Sequence, residues 1–347
     1  KLKLLVTGGA GFIGSAFIRE AISRGLHVLN IDALTYASSL ENLRSIESHP
    51  AYSFKQIDIT DRASVDDAIN AYEPDAIVHL AAESHVDRSI EGPLTFIQTN
   101  IIGTYNLLES SRAYWQKNNY LSQFKFLHVS TDEVFGSLGD QGLFNEDSAY
   151  LPNSPYSASK ASSDHLVRAW GETYGLPVLI TNCSNNYGPF QFPEKLIPVT
   201  IMSAIAGNEI PIYGSGNNIR DWLYVNDHVD ALLLVLSKGQ TGRTYNIGGN
   251  TELTNLELVQ KICSLLDMQK PAHKPYVTQI AFVEDRPGHD QRYAIDASRI
   301  KKELGWKPMT SIESGLEKTI SWYLENQSWM KKLLERDGVR PRFGPHS

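Results

Sequence analysis

The sequence predicts an α/β protein: a doubly wound parallel sheet followed by a smaller mixed α/β domain. Three observations predict it. Short apolar runs alternate with longer amphipathic ones through the first half, the apolar runs are continuous, and glycines cluster where the first run ends. Strand–helix alternation at this pitch argues for parallel strands covered by helices on both faces. Strands buried on both sides have no polar face to show, which accounts for the continuous runs.

Taken in order, Lys3–Thr7 reads as the first strand and Gly11–Arg24 as the helix that follows it. Leu26–Ile31 and Tyr52–Ile59 are the second and third strands, and Ser64–Tyr72 has helical spacing. Ala76–Leu80 is apolar enough for a central strand, and Leu94–Gln116 for one long helix. Lys125–Ser130 and Pro177–Asn182 complete the set of strands. From Asn185 onward Pro and Gly cluster, as in Tyr187-Gly-Pro-Phe190, and the period fades. The boundary is therefore expected near Cys183, giving domains at 1–183 and 184–347, with later segments free to return to the first. Asp337–Ser347, rich in Pro, Gly and Arg, is expected to be a surface tail.

Composition narrows the function. The 347 residues are about two domains' worth, and 41% apolar content rules out wholesale disorder. With 32 Lys+Arg against 39 Asp+Glu the net charge is −7, so no broad field attracts nucleic acid or an anionic membrane. An anionic ligand must be held by local groups. Cys183 and Cys263 cannot build a disulfide framework, and no Cys/His cluster has metal-ligand spacing, so no metal is expected. The longest apolar run, Ala231–Leu236, is far short of the ~20 residues a membrane span needs. A strand-like run begins at Leu2, so no signal peptide is expected and the location is read as cytoplasmic.

The glycine cluster is Thr7-Gly-Gly-Ala-Gly-Phe-Ile-Gly14, with Gly8, Gly11 and Gly14 flanking Phe12 and Ile13. Such a turn lets a pyrophosphate sit against helix N–H groups at the positive end of the dipole. Asp32 ends the next strand, where a carboxylate can bind both hydroxyls of an adenosine ribose. The following Ala33, Leu34, Thr35, Tyr36 and Ala37 include no cation for a 2′-phosphate, which favours NAD over NADP. Asp58 and Ile59 close the third strand, either beside the adenine or as a helix-capping turn. Leu80, Ala81, Ala82 and Ser84 end the fourth strand on the same rim, small enough for close backbone approach. Glu83 and His85 between and beside them are given no role.

Ser154-Pro155 reads as a helix start, and Tyr156 and Lys160 then share one helix face. A lysine ammonium near a phenol, together with the nicotinamide's positive charge, lowers its pKa, preparing it to take a proton from an alcohol while hydride leaves the same carbon. Ser130-Thr131-Asp132-Glu133 ends the fifth strand on the cofactor rim. Thr131 can hydrogen-bond the reacting hydroxyl. Asp132 and Glu133 are either a solvated acidic turn or a pair with split roles, one protonated and one ionised. Alcohol oxidation needs neither of them, whereas removal of water needs both.

Gly8-x2-Gly11-x2-Gly14 with Tyr156-x3-Lys160 resembles the extended short-chain dehydrogenase/reductase family, whose cofactor domain is Rossmann-type. Ala81–Ser89, Ser130–Gly136, Arg220–Val225 and Asp285–Asp290 are similar, within it, to the dTDP-glucose 4,6-dehydratases. The resemblance implies NAD-dependent oxidation at C4, water loss across C5 and C6, and return of hydride to C6, with NAD regenerated in each turnover. It implies cofactor contacts at Thr99 and Asn186. It implies substrate contacts at Ser84, Thr131, Asn185, Lys195 and Leu196, at Pro211, Ile212 and Tyr213, at Arg220 and Asn255, and at Asp285, Arg286, Pro287, Gly288 and His289. Arg220 and Arg286 are fork donors suited to a diphosphate. It also implies a homodimer formed through helices at about 94–116 and 155–173. Thymidine and uridine differ by one methyl group, so the sequence alone does not separate them. A C4 epimerase, a decarboxylase of the same scaffold and a non-catalytic NAD-binding regulator are the rival readings.

Overall fold

A computed structural model describes residues 1–336, so the tail expected over Asp337–Ser347 lies outside the described residues. The six expected strands form as β1 (Lys3–Thr7), β2 (His27–Asp32), β3 (Tyr52–Gln56), β4 (Ala76–His79), β5 (Lys125–Thr131) and β6 (Val178–Cys183). The third stops short of Ile59. Ile57 N–H makes its last bond to the Asp32 carbonyl, and Asp58 then turns the chain by accepting from Thr60 N–H at 2.9 Å.

Around them lie α1 (Phe12–Ser23), α2 (Arg62–Tyr72), α3 (Val86–Glu91), α4 (Pro93–Phe96), α5 (Gly103–Lys117) and α6 (Pro155–Tyr174). The single helix expected over Leu94–Gln116 is interrupted by a wider π turn at Ile97–Ile102. Asn100 occupies that turn. Its Oδ1 accepts Glu83 N–H at 2.9 Å, and its Nδ2 donates to the Glu83 carbonyl at 3.0 Å and to Ser159 Oγ at 2.8 Å. Ser154 and Ser157 cap α6 reciprocally, with Pro155 as its first residue.

The second half contributes β7 (Asn185–Tyr187), α7 (Leu196–Ile205), β8 (Ile210–Tyr213), β9 (Ile219–Tyr224), α8 (Val225–Lys238), β10 (Thr244–Ile247), β11 (Glu252–Thr254) and α9 (Asn255–Gln269). β12 (Ile280–Val283), α10 (Ser298–Leu304), α11 (Ile312–Glu325) and α12 (Gln327–Leu334) follow.

The main sheet has the order β10-β6-β5-β4-β1-β2-β3, and every neighbouring pair is parallel. Its strands alternate between two cores. Leu4 and Val6 face Phe17 of α1 and Leu232 and Val235 of α8, while Leu5 faces Ile69 of α2 and Leu107 of α5. α8 and β10 thus belong to the first sheet although they lie well beyond Cys183. The second half keeps its own core of Tyr187, Ile201, Trp222, Ile262, Leu316 and Tyr323, beneath a three-stranded sheet β11-β9-β7 and the pair β12-β8. Strand order reverses between β1 and β4, which leaves a crevice outside their carboxyl ends. Among the described residues no helix is long and apolar enough to cross a membrane.

Candidate active site

At that crevice a cleft of about 460 Å³ opens between the two halves, within the range of small-molecule sites. The glycine turn forms its floor. Gly8 has φ +70°, and a Cβ there would stand 2.6 Å from the Ala81 backbone. A Cβ on Gly14 would collide with the Gly8 carbonyl. No side chain caps α1, so the first N–H groups of Phe12, Ile13 and Gly14 remain available at the cleft wall.

Asp32 is buried, with Oδ2 accepting Ala10 N–H at 2.9 Å and Oδ1 accepting Leu34 N–H at 2.8 Å. Burial pushes its carboxyl up, while these backbone donors pull it down. With the Ser38 side chain as a third donor, it is held rigidly and keeps acceptor capacity toward the cleft. Ala33 and Thr35 line the wall, as do Asp58 and Ile59. Leu34 does not; its backbone braces Asp32 from a left-handed φ of +56°. The cap of α2 is Asp61, which accepts Ser64 N–H, so Asp58 is not the helix cap. Leu80, Ala81, Ala82 and Ser84 line the wall from the end of β4, and Thr99 from the π turn. Thr7 Oγ1 fixes the first two by accepting both their N–H groups at 3.1 Å.

Tyr156 and Lys160 enter from α6, Thr131 from the end of β5, and Asp132 and Glu133 from the short 3-10 turn that it caps. Thr131 Oγ1 accepts Glu133 N–H at 3.2 Å and orients the pair. The ammonium of Lys160 is buried and donates to the Val129 carbonyl at 3.0 Å. The sequence reading has it lowering the Tyr156 pKa together with the nicotinamide's charge; the groups that surround the phenol in the chain itself act upward. Burial pushes the phenol well above its usual value, reinforced by Glu133, Cys183 and Asp132.

The two carboxyls sit in unequal surroundings. Asp132 is fully buried with one oxygen unpartnered. Burial, then Glu133 and Asp221, push it well above the carboxylate range. Burial also raises Glu133, but Arg286, Lys195 and Arg220 oppose the rise. An acid and a base side by side is what this arrangement can supply.

From the second half come Asn185, Asn186, Lys195, Leu196, Pro211, Ile212, Tyr213, Arg220, Asn255, Arg286 and His289, all on the wall. Lys195 Nζ donates to the Ser84 carbonyl at 2.8 Å, tying the halves together. Arg220 and Asp221 are not a surface ion pair. Both are buried, Arg220 donates to the carbonyls of Ile219 and Asp290, and Asp221 accepts the N–H groups of Gly249 and Thr251. Three residues fall outside the wall, and the reason is the turn they build. Asp285 accepts Arg286 N–H at 2.9 Å and pairs with His289 Nδ1 at 2.6 Å, while Pro287 leads into Gly288 at φ +66°. They shape the loop that presents Arg286 and His289.

The chain matches the family model described as GDP-mannose 4,6 dehydratase over residues 5–319. The dTDP-glucose 4,6-dehydratase of Xanthomonas campestris pv. campestris strain B100 is 58% identical over 344 residues, 98% of each chain. That of Neisseria meningitidis serogroup B is 56% identical over 99% of each. The chain belongs to the dTDP-glucose 4,6-dehydratase family. A solved dTDP-glucose 4,6-dehydratase from Streptomyces venezuelae with NAD bound superposes with a TM-score of 0.88 at 44% identity, over 96% of this chain and all of that one. The UDP-glucose 4-epimerase of Thermotoga maritima superposes at 0.83 with 30% identity, over 94% and 100%. The dehydratase family therefore shares its scaffold with epimerases.

Within this dehydratase-family cleft stand four residues that sequence reasoning left aside. Glu83, His85, Asp87 and Glu194 all line it. Glu194 is buried between the Tyr36 hydroxyl and Arg88, at 3.3 and 3.4 Å. Asp87 accepts from Tyr213 at 2.9 Å and faces Arg286 at 3.4 Å. The partners of Glu194 and Asp87 are more than a hundred residues away in sequence, so no local spacing reveals these two.

Proposed function

We propose that the protein removes water from a nucleotide-glucose, dTDP-glucose, with NAD as cofactor, and releases the 4-keto-6-deoxy sugar nucleotide. The observation that carries this is the unequal charge around Asp132 and Glu133 in one cleft with Tyr156 and Lys160: Glu133 and Asp221 add to the burial that raises Asp132, whereas Arg286, Lys195 and Arg220 oppose it at Glu133. Epimerisation at C4 uses oxidation machinery alone; an adjacent acid and base serve elimination. The names of the similar dehydratases support the substrate class.

The glycine turn, the free N–H groups of α1 and the braced Asp32 fit a dinucleotide. Gly8, Gly11 and Gly14 would hold its pyrophosphate, Asp32 its adenosine ribose, and Thr99, Tyr156, Lys160 and Asn186 its other end. Bound there, NAD would supply a hydride acceptor for C4 and donor for C6, and in its oxidised form the positive charge that the high Tyr156 pKa calls for.

Tyr156 takes the proton of the C4 hydroxyl, with Lys160 behind it and the Thr131 hydroxyl bonded to the same oxygen. The ketone at C4 acidifies the C5 proton, which Glu133 removes and gives back to C5 when hydride reaches C6; Arg286, Lys195 and Arg220 oppose the rise that burial imposes on Glu133. Asp132, kept protonated by burial, gives its proton to the departing C6 oxygen. Arg220 and Arg286 receive the diphosphate, and Tyr213 flanks the base. On this reading residues 1–183, with 225–247 returning, hold the cofactor and the remainder hold the sugar nucleotide. The protein works in the cytoplasm as a homodimer. Leu94, Ile97, Ile102 and Tyr105, exposed on the helical run of α4 and α5, form part of the contact.

Incubation with dTDP-glucose and UDP-glucose in parallel tests the reading. A keto-sugar chromophore in alkali, formed faster from dTDP-glucose, is expected. Faster turnover of UDP-glucose overturns the base assignment. An epimerised sugar without chromophore, or no turnover of either, overturns the dehydratase.

A further inference from the structure

α6 carries a third ionisable residue on the face of Tyr156 and Lys160. Asp164 follows Lys160 by four positions, one helical turn further from the cleft. It is fully buried. Three groups donate to its carboxylate: His128 Nε2 at 2.9 Å, the Tyr150 hydroxyl at 2.9 Å and Asn182 Nδ2 at 3.0 Å. Nothing in the dehydration chemistry calls on it, and an ionised carboxylate removed from water is costly unless another charge answers it.

The cation placed to answer it is Lys160, one helical turn back on the same face of α6. Its ammonium has the Val129 carbonyl of β5 as its acceptor, poor compensation for a buried cation. The ionisable groups packed around it are His79 on β4, His128 on β5, Cys183 on β6, and Tyr156 and Asp164 on its own helix. Burial pushes both histidines down and the Cys183 thiol and Tyr156 phenol up, so all four are neutral at working pH. Of these neighbours only Asp164 carries a charge. Because His128 gives its Nε2 proton to Asp164 while remaining neutral, it orients the carboxylate without consuming its charge.

We propose that Asp164 is a positioning residue for the reaction, holding Lys160 as an ammonium ion and aimed at the catalytic tyrosine. The balance of forces agrees: burial drives the lysine toward its neutral form, and Asp164 opposes that. Burial would raise Asp164 too, but its His128 hydrogen bond and the lysine charge hold it below the usual carboxylate range. The proposal rests on the dehydratase reading for its kinetic consequence and not for its titration.

Two measurements on the full-length holoenzyme test it. In protein labelled at lysine Cε with carbon-13, the Lys160 resonance, identified by its loss in Lys160→Arg, is followed against pH. Lys160 is expected to remain an ammonium at pH 8 in wild type and to lose its proton about one pH unit lower, or more, in Asp164→Asn. The alkaline limb of kcat/KM for the nucleotide-glucose should move down by the same amount. Tyr150→Phe removes a donor from Asp164 but leaves its charge, and should move neither. A Lys160 already neutral at pH 8 in wild type overturns the proposal even if Asp164→Asn does not fold. So does an unmoved titration in Asp164→Asn, or an equal displacement in Tyr150→Phe. A wild type that makes no keto sugar but shows the expected titrations overturns the dehydratase reading and leaves the Asp164–Lys160 pairing standing.

Discussion

Asp132 has lost its solvent and one of its hydrogen-bond partners, and that cost has a measurable sign. Its pKa in the folded chain is raised, by burial first and then by Glu133. A raised group contributes stability that is full below its unfolded value near 4 and is lost as pH climbs through the folded value. At neutral pH the wild type therefore carries a penalty that an amide escapes. Asp132→Asn is expected to melt about 2 °C or more above wild type at pH 7–8, with the gap closing toward pH 4. Thermal scans across that range check it, and a gap that widens toward pH 4 contradicts the assignment. The same pair separates kinetically. Glu133→Gln should lose deuterium incorporation at C5 by about 10²–10⁴-fold, whereas Asp132→Asn should keep the exchange and slow water loss. Proton NMR of the sugar in heavy water distinguishes them. Equal exchange in wild type and Glu133→Gln removes Glu133 as the base.

The π turn is the element whose shape bears most on the site. By widening the helix for six residues it lets Asn100 reach both Glu83 backbone groups and Ser159. The loop after β4 and the helix carrying Tyr156 are thereby tied to one amide. Asn100→Ala leaves those buried groups unpaired, at about 1–3 kcal/mol in stability. Urea denaturation should show the loss, and kcat should fall because Ser84 and Tyr156 are no longer held in register. A variant as stable and active as wild type shows the turn to be incidental. Nothing in Ile97–Ile102 announces a π turn, since its apolar spacing suits an α-helix equally; the signal is a tertiary hydrogen bond.

At the scale of the molecule, the halves are joined across the cleft by a few polar contacts, Lys195 to Ser84 and Asp87 to Tyr213 and Arg286 among them. A face of α4 and α5 meanwhile remains apolar and exposed, with Leu94 63% and Ile102 47% accessible. If that face is the dimer contact, Leu94→Glu combined with Ile102→Glu should convert the protein to a monomer, read by sedimentation equilibrium. A wild-type monomer, or a dimer untouched by both charges, rejects it.

Local physics made most of the main sheet legible. Continuous apolar runs marked the central strands, because a strand covered on both faces has no polar side to interrupt it, whereas β3 at the sheet edge mixes polar and apolar residues. The glycines at 8, 11 and 14, the Asp32 carboxylate and the Tyr156–Lys160 spacing were legible for a similar reason. Each depends on neighbours within one turn or one strand–helix unit. The last strand, β10, was not, since four residues after a long excursion acquire their partner, β6, only in space. Nor did spacing show that Asp285, Pro287 and Gly288 build a loop instead of a wall, or that Glu194 reaches the cleft. Tertiary packing also set what spacing could not show: removal of water pushes the Tyr156 phenol up, because desolvation acts through everything that surrounds it. Sequence determined which groups are present and which share a face. Only the folded chain decided which charges surround each carboxyl, and on the proposed reading that sets which is the acid and which the base.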